Sequence, residues 1–216
     1  MGDAATVFTG IAGAFAAAAV SVPLSVWCAT LTAGPSPTIA GRPVGMAHGR
    51  WVTVVLAAVL GGVAPLLVPF PAWWLLGAGG AALAVVDWRT HRLPARFVQP
   101  LAAAVALVLL VDAAATGQWS ELGRAALAAA VVGSLWFVVA FVSPGAVGLG
   151  DIRVAALAAG LLGWSGWTVV FAGQLAASLL GVVTAAAMTA TRRSVRSGVP
   201  MGPALILGAF LAALTA

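Results

Sequence analysis

The chain has 216 residues and only five acids, and two of those, Asp87 and Asp151, stand where a carboxylate is expensive. Asp87 closes an apolar run in "ALAVVDWRTHRLP", and Asp151 opens another in "GLGDIRVAAL". Acids at the edge of hydrocarbon make a functional pairing the first hypothesis. Two chemistries suit such a pair. Sharing one proton, two carboxyls can act as base toward a water and as acid toward a leaving amine, which is what peptide hydrolysis needs. The same two groups can instead relay protons through a carrier. Each acid also has a plain structural role. Asp151 can cap a helix or sit in its first turn, and Asp87 can pair with Arg89 or Arg92. A coupled pair titrates as a unit, so the letters do not tell base from acid. Neither metal nor organic cofactor is required for the hydrolytic chemistry.

The elements that must position these acids are apolar helices. With 62% hydrophobic and 7% charged residues, and a mean hydropathy of +1.11, the chain cannot coat a soluble globule. Several stretches approach the roughly 20 residues that span a bilayer core. They are continuously apolar and rich in Ala, Leu and Val, without the alternation of a membrane β-barrel. The expected class is an all-α polytopic integral membrane protein with about eight transmembrane helices. These fall near 5–32, 51–69, 71–87, 98–115, 124–142, 151–165, 166–190 and 200–215. The breaks are turn chemistry, among them "TGQWSELG", "SPGAVGLG" and "GWSGW". An N-terminal helix with a short loop (1–50) precedes a membrane-embedded domain (51–216).

The net charge of +5 reflects membrane orientation, and no nucleic-acid partner is expected. With the N-terminus outside, Arg42, Arg50, Arg89, Arg92 and Arg96 all lie on the cytoplasmic side, as do Arg153, Arg192, Arg193 and Arg196. Arg124, Asp3, Asp112 and Glu121 then lie outside. This topology brings Asp87 and Asp151 to one membrane depth on the cytoplasmic side. Tryptophans near helix ends, including Trp73, Trp119, Trp164 and Trp167, fit an interfacial belt. Gln174 and Ser178, four apart on one span, are expected to make interhelical hydrogen bonds. The single cysteine, Cys28, excludes an internal disulfide.

The flanks of the two acids carry a resemblance. "DWRTHRLP" at 87–94 fits D-x5-[IL]-P, "GLGD" at 148–151 is G-x-G-D with Arg153 two residues on, and "VPMGPAL" at 199–205 fits P-x-G-P-x-L. In this order, across about 85–205, the set resembles the prepilin peptidases, or type IV leader peptidases, which are membrane aspartic proteases. Ala95 stands where the family usually has Asn, Arg153 where it has Lys, and Met201 where Phe is common. The loop "TAGPSPTIAGRPVGMAHGR" lacks the cysteines of the bifunctional members, which implies a peptidase-only short form.

The resemblance implies that Asp87 and Asp151 are catalytic. It implies supporting roles for Leu93, Pro94, Gly148, Gly150, Arg153, Pro200, Gly202 and Pro203. Gly148 and Gly150 are expected to let the backbone turn tightly before Asp151, and Pro94 to end the extension after Asp87. The implied substrate is a prepilin or pseudopilin with a short leader followed by an apolar helix, and the other partner is the lipid bilayer. The implied place is the cytoplasmic face of a bacterial inner membrane. A proton-coupled transporter, an inactive relative serving secretion assembly, and a presenilin-like intramembrane protease are the alternatives.

Overall fold

The computed structural model describes residues 19, 38–39, 42–43, 46–64, 67, 70–90, 95–143, 147–190 and 201–215. A short antiparallel pair, β1 (Thr38–Ile39) and β2 (Arg42–Pro43), sets Thr38 opposite Pro43. Seven helices follow among the described residues: α1 (Met46–Val63), α2 (Phe70–Thr90), α3 (Ala95–Thr116), α4 (Trp119–Val142), α5 (Leu149–Ser165), α6 (Trp167–Ala190) and α7 (Gly202–Ala213). Each overlaps one of the expected spans from the second onward. The first expected span, 5–32, and Cys28 lie outside the described residues.

Two boundaries move, one of them for an identifiable reason. "TGQWSELG" contracts to a two-residue connection because Gly117 takes φ 78°, and α4 begins at Trp119 rather than 124. α1 begins at Met46, ahead of the expected 51. The weak break at "GWSGW" is real, since Gly166 has φ 144° and its N–H closes α5 on Leu162 O.

Three helices, Phe97–Thr116, Trp119–Val142 and Trp167–Ala190, are long and apolar enough to cross a membrane. Val54–Val63, Pro71–Asp87 and Gly202–Ala213 are shorter apolar helices. The longest helices expose large apolar side chains such as Leu135, Phe141, Phe171 and Leu175, as faces turned to lipid would.

Small residues let the helices approach one another. In α2, a Cβ on Gly77 would meet Leu60 of α1, one on Gly79 would meet Leu101 of α3, and one on Gly80 would meet Ile206 of α7. The run "GAGGAALA" therefore gives α2 three different neighbours, which packing without a hydrophobic driving force demands. α5 is buried along nearly its whole length from Val154 to Trp164, so it occupies the middle of the bundle.

Contacts fix the helix directions. Gly163 meets Arg124, Ala125 and Ala128, whereas Gly133 meets Ala156, so α4 and α5 are antiparallel. Gly173 near the start of α6 meets Leu162 of α5 and Ala212 of α7, whereas Gly181 meets Met201. The C-termini of α5 and α7 thus lie together, and both helices start at the opposite end of the bundle.

Trp73 is 1% exposed and packs edge-on against Phe210, with ring centroids 5.1 Å apart at 69°. Trp164 is also buried. These two belong to the protein core rather than to an exposed belt, whereas Trp119 is open to the surroundings.

Candidate active site

Asp87 lies one turn before the end of α2, and Asp151 lies in the first turn of α5. α2 and α5 both pack on α7. α7 starts at the end of the bundle where α5 starts, so its first residue, Gly202, faces the same region. The Gly202 N–H donates to Asp87 Oδ2 at 2.8 Å. Asp87 is close enough to Asp151 for its charge to act on it. Two acids far apart along the chain are thereby gathered at one end of the bundle.

Each carboxyl has one oxygen held by a backbone N–H at a helix start. For Asp87 the donor is the first residue of α7, an N–H with no partner inside its own helix. For Asp151 it is the N-cap of α5, whose Gly148 N–H donates to Oδ2 at 3.1 Å. This is half of a capping box, because Gly148 has no side chain to return the bond. Asp151 therefore does cap its helix, and Oδ2 alone does so. Its Oδ1 is buried with no hydrogen-bond partner. Asp87 is 4% exposed, the one charged or polar residue fully buried among the described residues. A buried carboxylate without charge compensation is costly, and two such groups within reach of one another's charge favour a single shared proton.

The supporting residues divide. Gly202 is required by space: a Cβ there would sit 2.9 Å from Asp87 Oδ2 and 3.2 Å from its Cβ. Pro203 follows at the second position of α7, where a missing N–H costs nothing and the fixed φ favours the helix. The letters G-P thus bring a backbone donor against Asp87 and start the helix that carries it.

The expectation for Gly148 and Gly150 needs correction. Gly148 has φ −79° and ψ 147°, ordinary extended backbone, and Gly150 lies inside α5. Neither makes a turn that demands glycine. What Gly148 supplies is room, since a Cβ would lie 3.1 Å from Asp151 Oδ2.

Arg153 is not gathered with the acids. Two residues along an α-helix rotate a side chain by about 200°, and Arg153 lines a cavity on the far side of α5. Asp151 Oδ1 remains without a partner, so no ion pair forms there. Leu93, Pro94 and Pro200 lie outside the described residues.

Sequence reasoning missed the contacts of Arg124. Arg124 donates from Nε to Gly163 O at 2.7 Å and from Nη2 to Trp164 O at 2.5 Å, capping the C-terminus of α5. Its isolation among the charges was the available signal. Gln174 does bond across helices, accepting from Trp136 Nε1 at 3.0 Å, but Ser178 turns back to Gln174 O in its own helix.

Comparison with known proteins adds one match. The model of the type IV leader peptidase family covers residues 72–189, which include both acids. No curated protein and no solved structure matches the chain.

Proposed function

Because the chain belongs to the type IV leader peptidase family, we propose that it is a membrane aspartic endopeptidase that removes the leader from prepilin or pseudopilin-like proteins. The observation that carries this reading is the convergence of Asp87 and Asp151. Each has one oxygen tied to a helix start, and Asp151 Oδ1 is buried without a partner. In the proposed reaction the pair holds one proton. The ionised carboxyl takes a proton from water as its oxygen attacks the scissile carbonyl, while the protonated carboxyl donates to the carbonyl oxygen. Collapse of the tetrahedral intermediate then passes a proton to the leaving amine, and the pair returns to one shared proton. Backbone N–H groups at Gly202 and Gly148 hold the carboxyls in place, so little reorganisation is needed during the reaction.

The site belongs at the membrane interface in this reading. Asp87 ends an apolar helix and Asp151 begins another, so a substrate helix lying in the bilayer is met where it emerges. In this reading the shorter helices cross with the three long ones and with the expected first span, which makes eight crossings of the inner membrane and a site open to the cytoplasm, the orientation that collects arginines inside.

Purified protein incubated with a candidate prepilin tests the reading. The expected product is the free leader and a mature chain beginning with the apolar segment. Proton flux through reconstituted vesicles without any cleavage would replace the peptidase by the carrier.

A further inference from the structure

A cavity of about 480 Å³ opens between α3, α4 and α5, on the opposite face of α5 from Asp151. Its walls are apolar, formed by Ala102 and Leu109 of α3, Ala125 of α4, and Leu157 and Leu161 of α5. Among the described residues its polar groups are Gln99 and Arg153. α4 is antiparallel to α5, and the two-residue connection makes α3 antiparallel to α4, so α3 and α5 run the same way. Gln99 and Arg153, each early in its helix, therefore mark one end of the groove. That end shares its depth with Asp151. From there the groove follows α3 from Val98 to Leu109, about 16 Å at the helical rise per residue.

Arg153 has no carboxylate partner among the described residues. Asp112 and Glu121 flank the connection at the far end of the α3–α4 hairpin. A cation at the rim of an apolar slot that runs into a membrane-crossing helix asks for an amphiphile with an anionic head. Size decides its kind. A helix about 10–12 Å wide needs roughly 1,300–1,800 Å³ over such a length, more than the total empty space of about 1040 Å³ there. One hydrocarbon chain is much narrower.

We propose that this groove binds one acyl chain of an anionic phospholipid, with the phosphate on the Arg153 guanidinium and the chain lying between α3 and α5. Guanidinium and phosphate match in geometry and charge, and anionic lipids belong to the cytoplasmic leaflet, toward which the proposed topology points Arg153. The site does not depend on peptidase chemistry, and no substrate enters its test.

The test uses the full chain in bilayer nanodiscs with a phosphatidylglycerol analogue carrying a diazirine on its acyl chain. Leu109 is 5% exposed and Leu157 8%, narrow openings onto the groove that bulk lipid labels little, whereas Leu175 is 62% exposed on α6. Labelling of Leu109 and Leu157 is expected, displaced at least 10-fold more effectively by phosphatidylglycerol than by phosphatidylcholine. Arg153→Gln should erase that preference, and Arg153→Lys should restore part of it. Ala102→Phe should fill the slot and lower labelling at Leu157 at least 10-fold. Labelling confined to exposed positions such as Leu175, or equal displacement by both lipids in the unaltered chain, would overturn the proposal whether or not the variants fold. So would displacement of the probe by a prepilin helix and not by phosphatidylglycerol.

Discussion

At Gly202 a single methyl group separates a working site from a distorted one. A Cβ there must push Asp87 Oδ2 from 2.9 Å and weaken the 2.8 Å bond from the Gly202 N–H. Misplacing a reacting group by about 1 Å costs on the order of 10²-fold in rate. Gly202→Ala should therefore lower leader cleavage about 10²-fold, with the helical circular dichroism unchanged. Gly123→Ala, where nothing lies within 4 Å, should leave the rate alone. The acids themselves were legible because acids are so rare in this chain, and the motif letters marked Gly202 and Pro203. The bond from Gly202 was not legible, because a backbone donor has no letter of its own. The role of Gly148 was misread for a related reason: glycine is the same letter whether it supplies a turn or merely room. Arg153 stands two residues from Asp151 in sequence yet on a different face of the helix, a separation that the letters do not display.

Among the elements, α5 is held at both ends by polar contacts, Gly148 to Asp151 at its start and Arg124 on its last carbonyls. Removing the Arg124 side chain leaves Gly163 O and Trp164 O without that donor, at a cost of about 1–3 kcal/mol. Arg124→Ala should accordingly lower the thermal midpoint in detergent. Arg124→Lys should recover only part of the loss, since an ammonium cannot reproduce the planar fork. Both should leave the pH profile of cleavage where it was, because the contact lies at the opposite end of α5 from Asp151. The helix positions were readable from turn chemistry: Gly117 and Gly166, at expected breaks, are the glycines with positive φ among the described residues. Which face of each helix packs was not readable. In a chain surrounded by lipid, the outward and inward faces are equally apolar, and the usual hydrophobic stripe is lost. Trp73 and Trp164 show the consequence, since their type and position fit an interfacial belt yet both are buried in the core.

For the whole molecule, membrane orientation follows from the direction of the helices. Ser120, after the α3–α4 connection, and Ser143, after α4, are both exposed and lie at opposite ends of a 24-residue helix. In a Cys28→Ser background, a membrane-impermeant thiol reagent should label Ser120→Cys in intact cells and label Ser143→Cys only after lysis. The reverse pattern would invert the proposed topology and turn the acids away from the cytoplasm. The central claim is narrower than topology: Asp87 and Asp151 act as one unit. Leader cleavage by Asp87→Asn, Asp151→Asn and the double variant tests it most directly, because an Asn Oδ1 can still accept from Gly202 or Gly148 and the fold is kept. Groups that act as a unit are not additive, so all three variants should fall to the same floor, at least about 10³-fold below the unaltered chain. A single variant that keeps cleavage within ten-fold of the unaltered chain, or a double variant whose loss is the product of the two single losses, would contradict it.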